Sequence, residues 1–318
     1  MTPHIVFLDA ETLPESVEWR APGFPHRWTA HARTAPHEVA ERIRDASIVI
    51  TNKVRLGAEA LAGATRLELI AVAATGTDNI DLSYCEQRGI AVRNVRGYAV
   101  HTVPEHALML MLALRRQLIP YRQAIAQGRW QESGQFCFHD FPIRDLAGDT
   151  LGLVGYGSLG QGLARLAQAL GMRVLVSARI GAPTCPPDRT AFAEVLQQSD
   201  VISLHLPLTP ETRHCIGAPE FAQMTKRPLL INTARGGLVD EDALAAALES
   251  GQIAGAGFDV SQQEPPAPDS VLWRLTERSN FLLTPHVAWA SAQATQALAD
   301  QLHRHLEDFW QQRQADAP

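Results

Sequence analysis

The chain has 318 residues, which is enough for two domains with buried cores. Apolar residues make up 46% of the sequence and charged residues 19%, as in a typical globular protein, and the formal net charge is −6. This acidic balance gives no overall electrostatic attraction to nucleic acid or to an anionic membrane. Neither is therefore an expected partner, although the net charge does not exclude a local basic patch.

The cysteines and the N-terminal segment indicate a compartment. The sequence contains four cysteines, which are Cys85, Cys137, Cys185 and Cys215. They are scattered without a C-x-x-C pair, which argues against a metal site or a disulfide framework and predicts a reducing, cytoplasmic location. The opening MTPHIVFLDAETLP lacks a basic n-region and predicts a first β-strand rather than a signal peptide. The longest apolar run, ALMLMLAL at 107–114, is too short to span a bilayer.

The N-terminal part of the chain alternates between strand-like and helix-like segments. The runs HIVFLD, SIVIT, LELIAVAA and IAVRN predict strands, and HEVAERIRDA, AEALAGA and DLSYCEQRG predict helices between them. Such βαβ alternation predicts a parallel sheet with helices on both faces.

A long helical segment follows, and then the alternation restarts. VHTVPEHALMLMLALRRQLIPYRQAIAQG predicts a long helix in which Pro120 is a point for a kink or an end and Gly128 a stop. RWQESGQFCFHDFPIRDLAGD has no clean period and predicts a connecting loop. The next strand runs are nearly all apolar, as expected when both faces of a sheet are covered. These runs are TLGLVGY, MRVLVSA, DVISLHL, LLINTA, AGAGFDV and NFLLTPH.

Two alternating segments joined by a long helix predict an α/β protein with two doubly wound parallel-sheet domains, Rossmann-like or flavodoxin-like. The segment SAQATQALADQLHRHLEDFWQQR predicts a C-terminal amphipathic helix that returns to the first domain. We place the first domain at 1–97 plus 289–318 and the second at 98–288, and we expect an active-site cleft between them.

A glycine motif predicts the role of the second domain. Gly155, Gly157 and Gly160 form G-x-G-x-x-G directly after an apolar strand and directly before a helix. The first glycine makes the tight turn, the second lets the backbone approach a pyrophosphate, and the third lets helix and strand pack closely. The helix N-terminus, with about half a positive charge, favours the pyrophosphate. We therefore predict a dinucleotide-binding domain at 98–288; the alternative is a merely structural glycine turn.

The end of the following strand predicts the cofactor. It carries Ser177, Ala178 and Arg179 and no acidic residue. An acid at position 178 would accept hydrogen bonds from the ribose hydroxyls and would repel a 2′-phosphate, so alanine removes both effects. Arg179 offers a planar donor fork that suits a phosphate, and Ser177 offers a hydroxyl. The pattern predicts NADP (NADPH), with NAD possible; the alternative is a solvated Arg179 and an enzyme that accepts either cofactor.

Three polar residues follow consecutive strands in this second half. Arg235, Glu264 and His286 each lie just beyond an apolar run, and ligands of open α/β sheets bind outside the carboxyl ends of the strands. Arginine binds a carboxylate, histidine transfers protons near neutral pH, and a neighbouring glutamate favours and orients the imidazolium. This set suits reduction of a 2-keto acid, with a hydride delivered to C2 and a proton from His286 to the oxygen. The alternative is a salt-bridged arginine and a turn glutamate.

At these residues the sequence resembles the D-isomer-specific 2-hydroxyacid dehydrogenases over essentially its whole length. The motifs LGLVGYGSLGQGLA, HLPLTPETRHCIG, LLINTARGGLVDEDAL, GAGFDV with EPP, and TPHVAWAS occur in the family's order and roughly its spacing. The resemblance implies that Arg235, Glu264 and His286 are the catalytic residues.

The resemblance also implies substrate contacts, which make 1–97 with 289–318 the substrate-binding, catalytic domain. The backbone around Thr75 and Gly76 is implied to bind the substrate carboxylate, together with Arg235. Lys53, in TNKVRLGAEAL, is expected to reach the substrate, and Trp289 to face its C3 carbon.

The predicted cofactor contacts come from the glycine motif, the SAR segment (residues 177–179) and the family's cofactor positions. They are Thr102, Gly155, Tyr156, Gly157, Ser158, Leu159, Gly160, Ser177, Ala178, Arg179, His205, Leu206, Pro207, Thr212, Thr233, Ala234, Arg235, Asp259, His286 and Ala288. The resemblance implies that Asp259 contacts the nicotinamide carboxamide. It also implies a homodimer that forms through the long helix and neighbouring loop of the cofactor-binding domain.

Within the family, the chain is most similar to the glycerate dehydrogenase and glyoxylate/hydroxypyruvate reductase branch, and its SAR segment is similar to that of NADP-using members. We therefore predict an NADPH-preferring reductase of glyoxylate and hydroxypyruvate that yields D-2-hydroxy acids. One alternative is a reductase of a bulkier 2-keto acid such as phenylpyruvate, decided by residues facing C3, for which Val54, Leu56, Trp289 and the QFCFHDF loop are candidates. The other is a non-catalytic NAD(P)-sensing protein like the co-repressors of this fold.

His101, Glu105 and His106 lie together at the start of the long helix. No further ligand cluster accompanies them, so we predict a capping or domain-interface role and no metal site.

Overall fold

The computed structural model describes residues 2–315. The chain divides into two compact units, Met1–Ala99 with Ala290–Pro318, and Val100–Trp289. The sequence-based bounds, 1–97 with 289–318 and 98–288, lie close to these.

The first unit is built around a parallel sheet. Its elements in chain order are β1 (His4–Phe7), β2 (Arg27–Ala30), α1 (Val39–Ile43), β3 (Ile48–Thr51), α2 (Ala58–Leu61), β4 (Leu69–Val72), α3 (Leu82–Gln87) and β5 (Ala91–Asn94). The strand order is β2-β1-β3-β4-β5, and every pair is parallel. The chain leaves β1 for β2 on one side and returns to β3 on the other, so the order of the strands reverses beside β1. Such a switch point is where open α/β sheets form ligand crevices.

The edge strand β2 is absent from the sequence-based prediction. Its residues RWTA are exposed at both ends and only half-buried between them, so no apolar run marks the segment. It forms because its backbone continues the ladder of β1, with His4 opposite Arg27 and Phe7 opposite Ala30.

The second unit contains a longer parallel sheet and most of the helices. Its elements in chain order are α4 (Thr102–Arg115), α5 (Leu118–Ala126), α6 (Arg129–Ser133), β6 (Thr150–Val154), α7 (Ser158–Ala169), β7 (Arg173–Val176), α8 (Phe192–Gln198), β8 (Val201–Leu204), α9 (Ala218–Ala222), β9 (Leu229–Asn232), α10 (Glu241–Glu249), β10 (Gly255–Phe258), α11 (Val271–Leu275) and β11 (Phe281–Leu283). The strand order is β11-β10-β9-β8-β6-β7, with its switch point between β6 and β8.

Both faces of this second sheet are covered. Along β9, Leu230 packs into one hydrophobic cluster, whereas Leu229 and Ile231 pack into another that contains residues of α4 and α7. This alternation explains why the strand segments are apolar at every position. The predicted fold class, two doubly wound parallel-sheet α/β domains, is confirmed.

The predicted long helix is two helices, and the break does not lie at the predicted residue. Gln117 has a left-handed backbone (φ 53°) between α4 and α5, while Pro120 lies in the first turn of α5, where a missing N–H breaks no helical bond. Gly128, with φ 86°, follows the end of α5 as predicted. The segment predicted as a connecting loop also contains one short helix, α6, in which residues 129–133 form a single turn.

The last helix of the described residues is α12 (Ala292–Ala315), which belongs to the first unit and confirms the predicted C-terminal helix. Four of its six buried residues recur every four positions and form one apolar stripe, namely Ala294, Leu298, Leu302 and Leu306. Within residues 2–315, no helix is both long enough and apolar enough to cross a membrane.

Candidate active site

The glycine loop (residues 155–160) lies at the switch point of the second sheet, between β6 and α7. Gly155 has φ 98°, and a Cβ there would overlap the backbone carbonyl of His205, which follows the neighbouring strand β8. A Cβ on Gly160 would lie 2.5 Å from the carbonyl oxygen of Gly155. At Gly157, by contrast, a Cβ would meet no protein atom within 4 Å. Two glycines are therefore needed for packing, and the middle one leaves space beside the N-terminus of α7.

A cavity of about 430 Å³ opens beside this loop, and we call it the glycine-loop cavity. Eight of the predicted cofactor residues line it, namely Gly155, Tyr156, Ser177, Ala178, Arg179, Leu206, Pro207 and Thr212. Five residues that the sequence did not single out also line it, namely Val154, Ile180, Arg189, Thr209 and Glu211. Of the remaining glycine-loop positions, Ser158 and Leu159 open α7.

Two arginines and one glutamate give the cavity its charges. Arg179 lines the cavity and is exposed, which fits both the predicted phosphate contact and the alternative of a solvated side chain. Sequence reasoning missed Arg189 because it belongs to no motif. The next residue, Thr190, pairs with Ser177 beside β7, and this pairing brings Arg189 to the same cavity. The pKa of Glu211 is lowered, first by a hydrogen bond from the Thr209 side chain, and the nearby charge of Arg179 contributes. The lowered pKa favours an ionised Glu211 in the cavity lining.

Two predicted side chains in this region are already engaged. The Ser177 hydroxyl donates to the carbonyl oxygen of Ala178 at 2.7 Å, so its proton is used within the chain. Thr212 donates from its hydroxyl to the carbonyl of Pro207 at 2.7 Å and braces that turn. Burial lowers the pKa of His205 to about 4, so its imidazole is neutral. These residues contribute shape and backbone groups rather than charge.

The ends of β9, β10 and β11 are aligned by strand register. Phe258 of β10 is opposite Asn232 of β9 and Leu283 of β11, so the three following turns leave the sheet side by side. The fully buried Asn232 then holds the first turn: its amide donates to the Arg235 carbonyl at 2.9 Å and accepts from the Ala234 amide at 3.1 Å. Asn232 was missed, although a polar residue at the end of an apolar strand is the signal that marks it.

The turns that carry Arg235 and Glu264 pack against each other. A Cβ on Gly236 would overlap the backbone of Ser261, so only glycine allows this contact. Arg235 is half-buried, and its guanidinium donates to the Ala234 carbonyl at 2.8 Å.

Glu264 and His286 form a direct pair. Nδ1 of His286 lies 2.7 Å from Oε2 of Glu264. An ionised carboxylate only accepts hydrogen bonds, so Nδ1 carries the proton and Nε2 is the ring nitrogen left for chemistry. His286 also has a left-handed backbone, φ 54°, which is uncommon for a residue other than glycine and is concentrated at functional sites.

A buried carboxylate holds the turn that presents His286. Asp259 is 1% exposed and accepts the amide hydrogens of Val287 at 2.9 Å and Ala288 at 2.8 Å. The Thr284 hydroxyl donates to the same carboxylate at 2.5 Å. The implied carboxamide contact of Asp259 stays a prediction; what the structure adds is this anchoring of the turn.

His106 belongs to this network and does not cap α4, which corrects the predicted capping role; the predicted domain-interface role stays a prediction. Its Nε2 lies 2.9 Å from the Thr284 hydroxyl and 3.6 Å from Asp259. Burial lowers the pKa of His106, and the negative charge of Asp259 opposes that shift. Sequence reasoning missed the contact because residues far apart in the chain form it.

Further predicted cofactor positions are Thr102, Ala288 and Thr233. The Thr102 hydroxyl donates to the Ala288 carbonyl at 3.1 Å. Among the described residues, the buried Thr233 hydroxyl oxygen has no hydrogen-bond partner. An unpaired buried hydroxyl, the space at Gly157 and the glycine-loop cavity together fit a bound dinucleotide.

The predicted substrate residues of the first unit lie after β3 and β4. Lys53 is exposed on the turn after β3, and Thr75 is exposed after β4. The Thr75 hydroxyl donates to the Val95 carbonyl at 2.9 Å, so its side chain is already engaged. Leu56 is fully buried in the core, so its predicted position facing C3 is wrong, whereas Val54 is only partly buried. Trp289, of the second unit, donates to the His286 carbonyl at 2.8 Å.

Comparison with known proteins identifies similar sequences and structures. The sequence model described as "D-isomer specific 2-hydroxyacid dehydrogenase, NAD binding domain" matches residues 108–288. A glycerate dehydrogenase from Methylorubrum extorquens is 49% identical over 97% of this chain and 96% of its own length. A hydroxypyruvate reductase from Blautia hydrogenotrophica is 34% identical over 96% of each chain. The crystal structure of an NADPH-dependent glyoxylate/hydroxypyruvate reductase from Sinorhizobium meliloti, in complex with NADP and malonate, superposes with a TM-score of 0.80 at 29% identity and covers 98% of this chain and 94% of its own.

Substitution of two glycines separates cofactor binding from folding. In Gly157→Ala we expect the thermal unfolding midpoint of the apoprotein to be unchanged and NADPH binding to weaken at least about tenfold, because the new methyl group occupies the space beside the N-terminus of α7. In Gly160→Ala the midpoint falls, because the methyl group overlaps the Gly155 carbonyl. Differential scanning fluorimetry and fluorescence titration measure both quantities. Unchanged NADPH affinity in a folded Gly157→Ala protein would contradict this placement of the pyrophosphate.

Proposed function

Since this chain belongs to the D-isomer specific 2-hydroxyacid dehydrogenase family, whose members are NAD(P)-dependent oxidoreductases, we propose that it reduces glyoxylate and hydroxypyruvate to D-2-hydroxy acids with NADPH as the preferred reductant. The observation that carries the proposal is the Glu264–His286 pair, which follows β10 and β11 of the sheet that also holds the glycine loop. The names of the relatives from M. extorquens, B. hydrogenotrophica and S. meliloti support this substrate class.

The reaction assigns a role to each polar group. When bound, a reduced nicotinamide supplies the hydride that C2 of the keto acid receives. His286 donates the proton from Nε2 to the carbonyl oxygen, while Glu264 holds Nδ1 and stabilises the doubly protonated ring before transfer. Arg235 binds the substrate carboxylate and polarises the carbonyl. Lys53 and the backbone amides at Thr75 and Gly76 bind the carboxylate as well, and a proton from solvent restores His286 after each turnover.

The preference for NADPH rests on the arginines of the glycine-loop cavity. Arg179 and Arg189 both line it, and Ala178 replaces the acid that would repel a 2′-phosphate. Glu211 is the acidic residue among its lining residues, and Arg179 is one of the charges near it. Arg189 also forms an ion pair with the neighbouring Asp188. The planar N–H groups of both arginines suit a phosphate, and this donor geometry is what favours the extra phosphate.

Replacement of the proton donor tests the chemistry. In His286→Ala we expect kcat for hydroxypyruvate reduction to fall by about a hundredfold to ten-thousandfold, because a positioned acid contributes that much to the rate. The Kd for NADPH stays within about twofold of its original value. The exposed His37 of the first unit supplies a matched control, His37→Ala, which leaves both quantities unchanged. If His286→Ala kept a near-normal kcat, another group would have to donate the proton.

Replacement of the two arginines tests cofactor choice. We expect Arg179→Ala and Arg189→Ala each to raise the KM for NADPH about tenfold to a hundredfold, because a charge-assisted hydrogen bond to the 2′-phosphate is lost. The KM for NADH changes much less. The control is Arg165→Ala, which removes the same charge from an exposed position on α7. Equal losses with NADPH and NADH would refute the phosphate role.

We further propose a homodimer that forms through the second unit. Large apolar side chains are exposed along α4 to α6 and the loop after them, including Phe136 at 88% exposure. They are Met109, Leu112, Leu118, Ile125, Trp130, Phe136 and Ile143. Exposed apolar side chains concentrated in one part of the chain are typical of an interface with another protein.

Sedimentation equilibrium tests the dimer. For the unmodified protein we expect twice the chain mass of 34.8 kDa. For the double variant Leu118→Glu/Phe136→Glu we expect the mass of one chain, because buried charges disrupt an apolar interface. Trp273→Glu, at an exposed tryptophan of α11, remains dimeric as the control. A monomeric unmodified protein would contradict the proposal.

We place the protein in a reducing, cytoplasmic compartment. The four cysteines are unpaired, and burial raises the pKa of Cys85 and raises that of Cys215 to about 11, so both thiols stay protonated and unreactive.

A further inference from the structure

A buried carboxylate in the first unit binds three consecutive backbone amides. Asp9 follows β1 and is 5% exposed. It accepts the amide hydrogens of Asn52 at 2.9 Å, Lys53 at 2.6 Å and Val54 at 3.2 Å. We call residues 52–54 the Lys53 turn. Three N–H groups that converge on one point form an anion-binding nest, and here the chain's own carboxylate occupies it.

This nest lies at the switch point of the first sheet. The Lys53 turn follows β3, Asp9 follows β1, and the two strands are neighbours, while β2 lies on the other side of β1. In open α/β sheets the crevice at such a point binds ligands. The chain therefore places an anion of its own where the fold otherwise offers amide groups to a ligand anion.

The Lys53 turn is also held from its other side. The Asn79 side-chain amide donates to the Val54 carbonyl at 2.9 Å, and the Leu56 amide donates to the Asn79 carbonyl at 2.8 Å. Asn79 belongs to the same loop as Thr75 and Gly76. The backbone of the Lys53 turn is thus fixed at both edges, and the exposed Lys53 side chain starts from a rigid position.

We propose that Asp9 is a positioning residue for the substrate carboxylate. It fills the nest, so that the keto acid carboxylate does not bind to these amides, and it fixes the turn from which the Lys53 ammonium binds that carboxylate instead. The inference rests on the proposed function, which gives Lys53 this substrate contact. Because Asp9 acts through Lys53, its effect falls on substrate affinity and not on the proton or hydride transfer.

Kinetics of single and double variants test the link between the two residues. Asp9→Asn replaces one acceptor oxygen with an amide donor that opposes the N–H groups of the turn. We expect the KM for hydroxypyruvate to rise about tenfold, kcat to stay within about twofold, and the Kd for NADPH to be unchanged. Lys53→Met raises the KM similarly, and the double variant shows no further increase, because the two residues act as one unit.

A small carboxylate provides a second readout. In Asp9→Ala the nest is empty, and we expect added formate to restore the low KM by occupying it. Formate has no such effect on Lys53→Met. Glu38→Gln is the matched control, since Glu38 accepts a hydrogen bond from the Ala35 amide in the same unit but lies outside the Lys53 turn; its KM is unchanged.

Each outcome decides between the two proposals. If Asp9→Asn leaves the KM unchanged while Lys53→Met raises it, or if Asp9→Asn keeps its full effect in the Lys53→Met background, the role of Asp9 is overturned and the proposed function stands. If Lys53→Met leaves the KM unchanged, the proposed substrate contact itself fails. Should the Asp9 variants not fold, Asn79→Ala removes the brace at the other edge of the turn. The same rise in KM without loss of kcat then supports the proposal, and an unchanged KM overturns it.

Discussion

The register of three parallel strands is the constraint on which the candidate active site depends. Phe258 faces Asn232 on one side and Leu283 on the other, so β9, β10 and β11 end at one level. The turns that follow therefore leave the sheet together, and residues far apart in the chain become neighbours. This register helps to bring Glu264 and His286 into contact.

Both units use a buried aspartate to fix a turn at the end of a strand. Asp259 accepts the amides of Val287 and Ala288 beside His286, and Asp9 accepts three amides of the Lys53 turn. Hydrogen bonds from backbone amides stabilise the charge of such a carboxylate, and the carboxylate in turn fixes several backbone dihedral angles at once. Side chains that must meet a reacting molecule are thereby placed before it binds, which lowers the entropic cost of reaching the reactive geometry.

Much of the fold could be predicted because its physical causes are local. Apolar runs marked the central strands of both sheets, and the glycine spacing marked the loop at the second switch point. Residues defined by a strand end, such as Glu264 and His286, could be found in the same way. The edge strand β2 could not, since it pairs through its backbone and buries little apolar surface.

The missed residues depend on long-range contacts. His106 reaches Thr284 from another part of the chain, and Arg189 reaches the glycine-loop cavity through the pairing of Thr190 with Ser177. No local pattern records such contacts. Leu56 shows the opposite error: its place near a predicted site predicts a lining residue, but it belongs to the core.

Initial rates test most directly whether this dehydrogenase reduces small 2-keto acids with NADPH. Purified protein is given glyoxylate or hydroxypyruvate while NADPH and NADH are titrated side by side. We predict turnover of both acids and a kcat/KM for NADPH at least about tenfold above that for NADH. Two arginines can bind the 2′-phosphate, and position 178 carries no acid that would repel it. A preference for NADH, or binding of NADPH without turnover of either acid, would contradict this account.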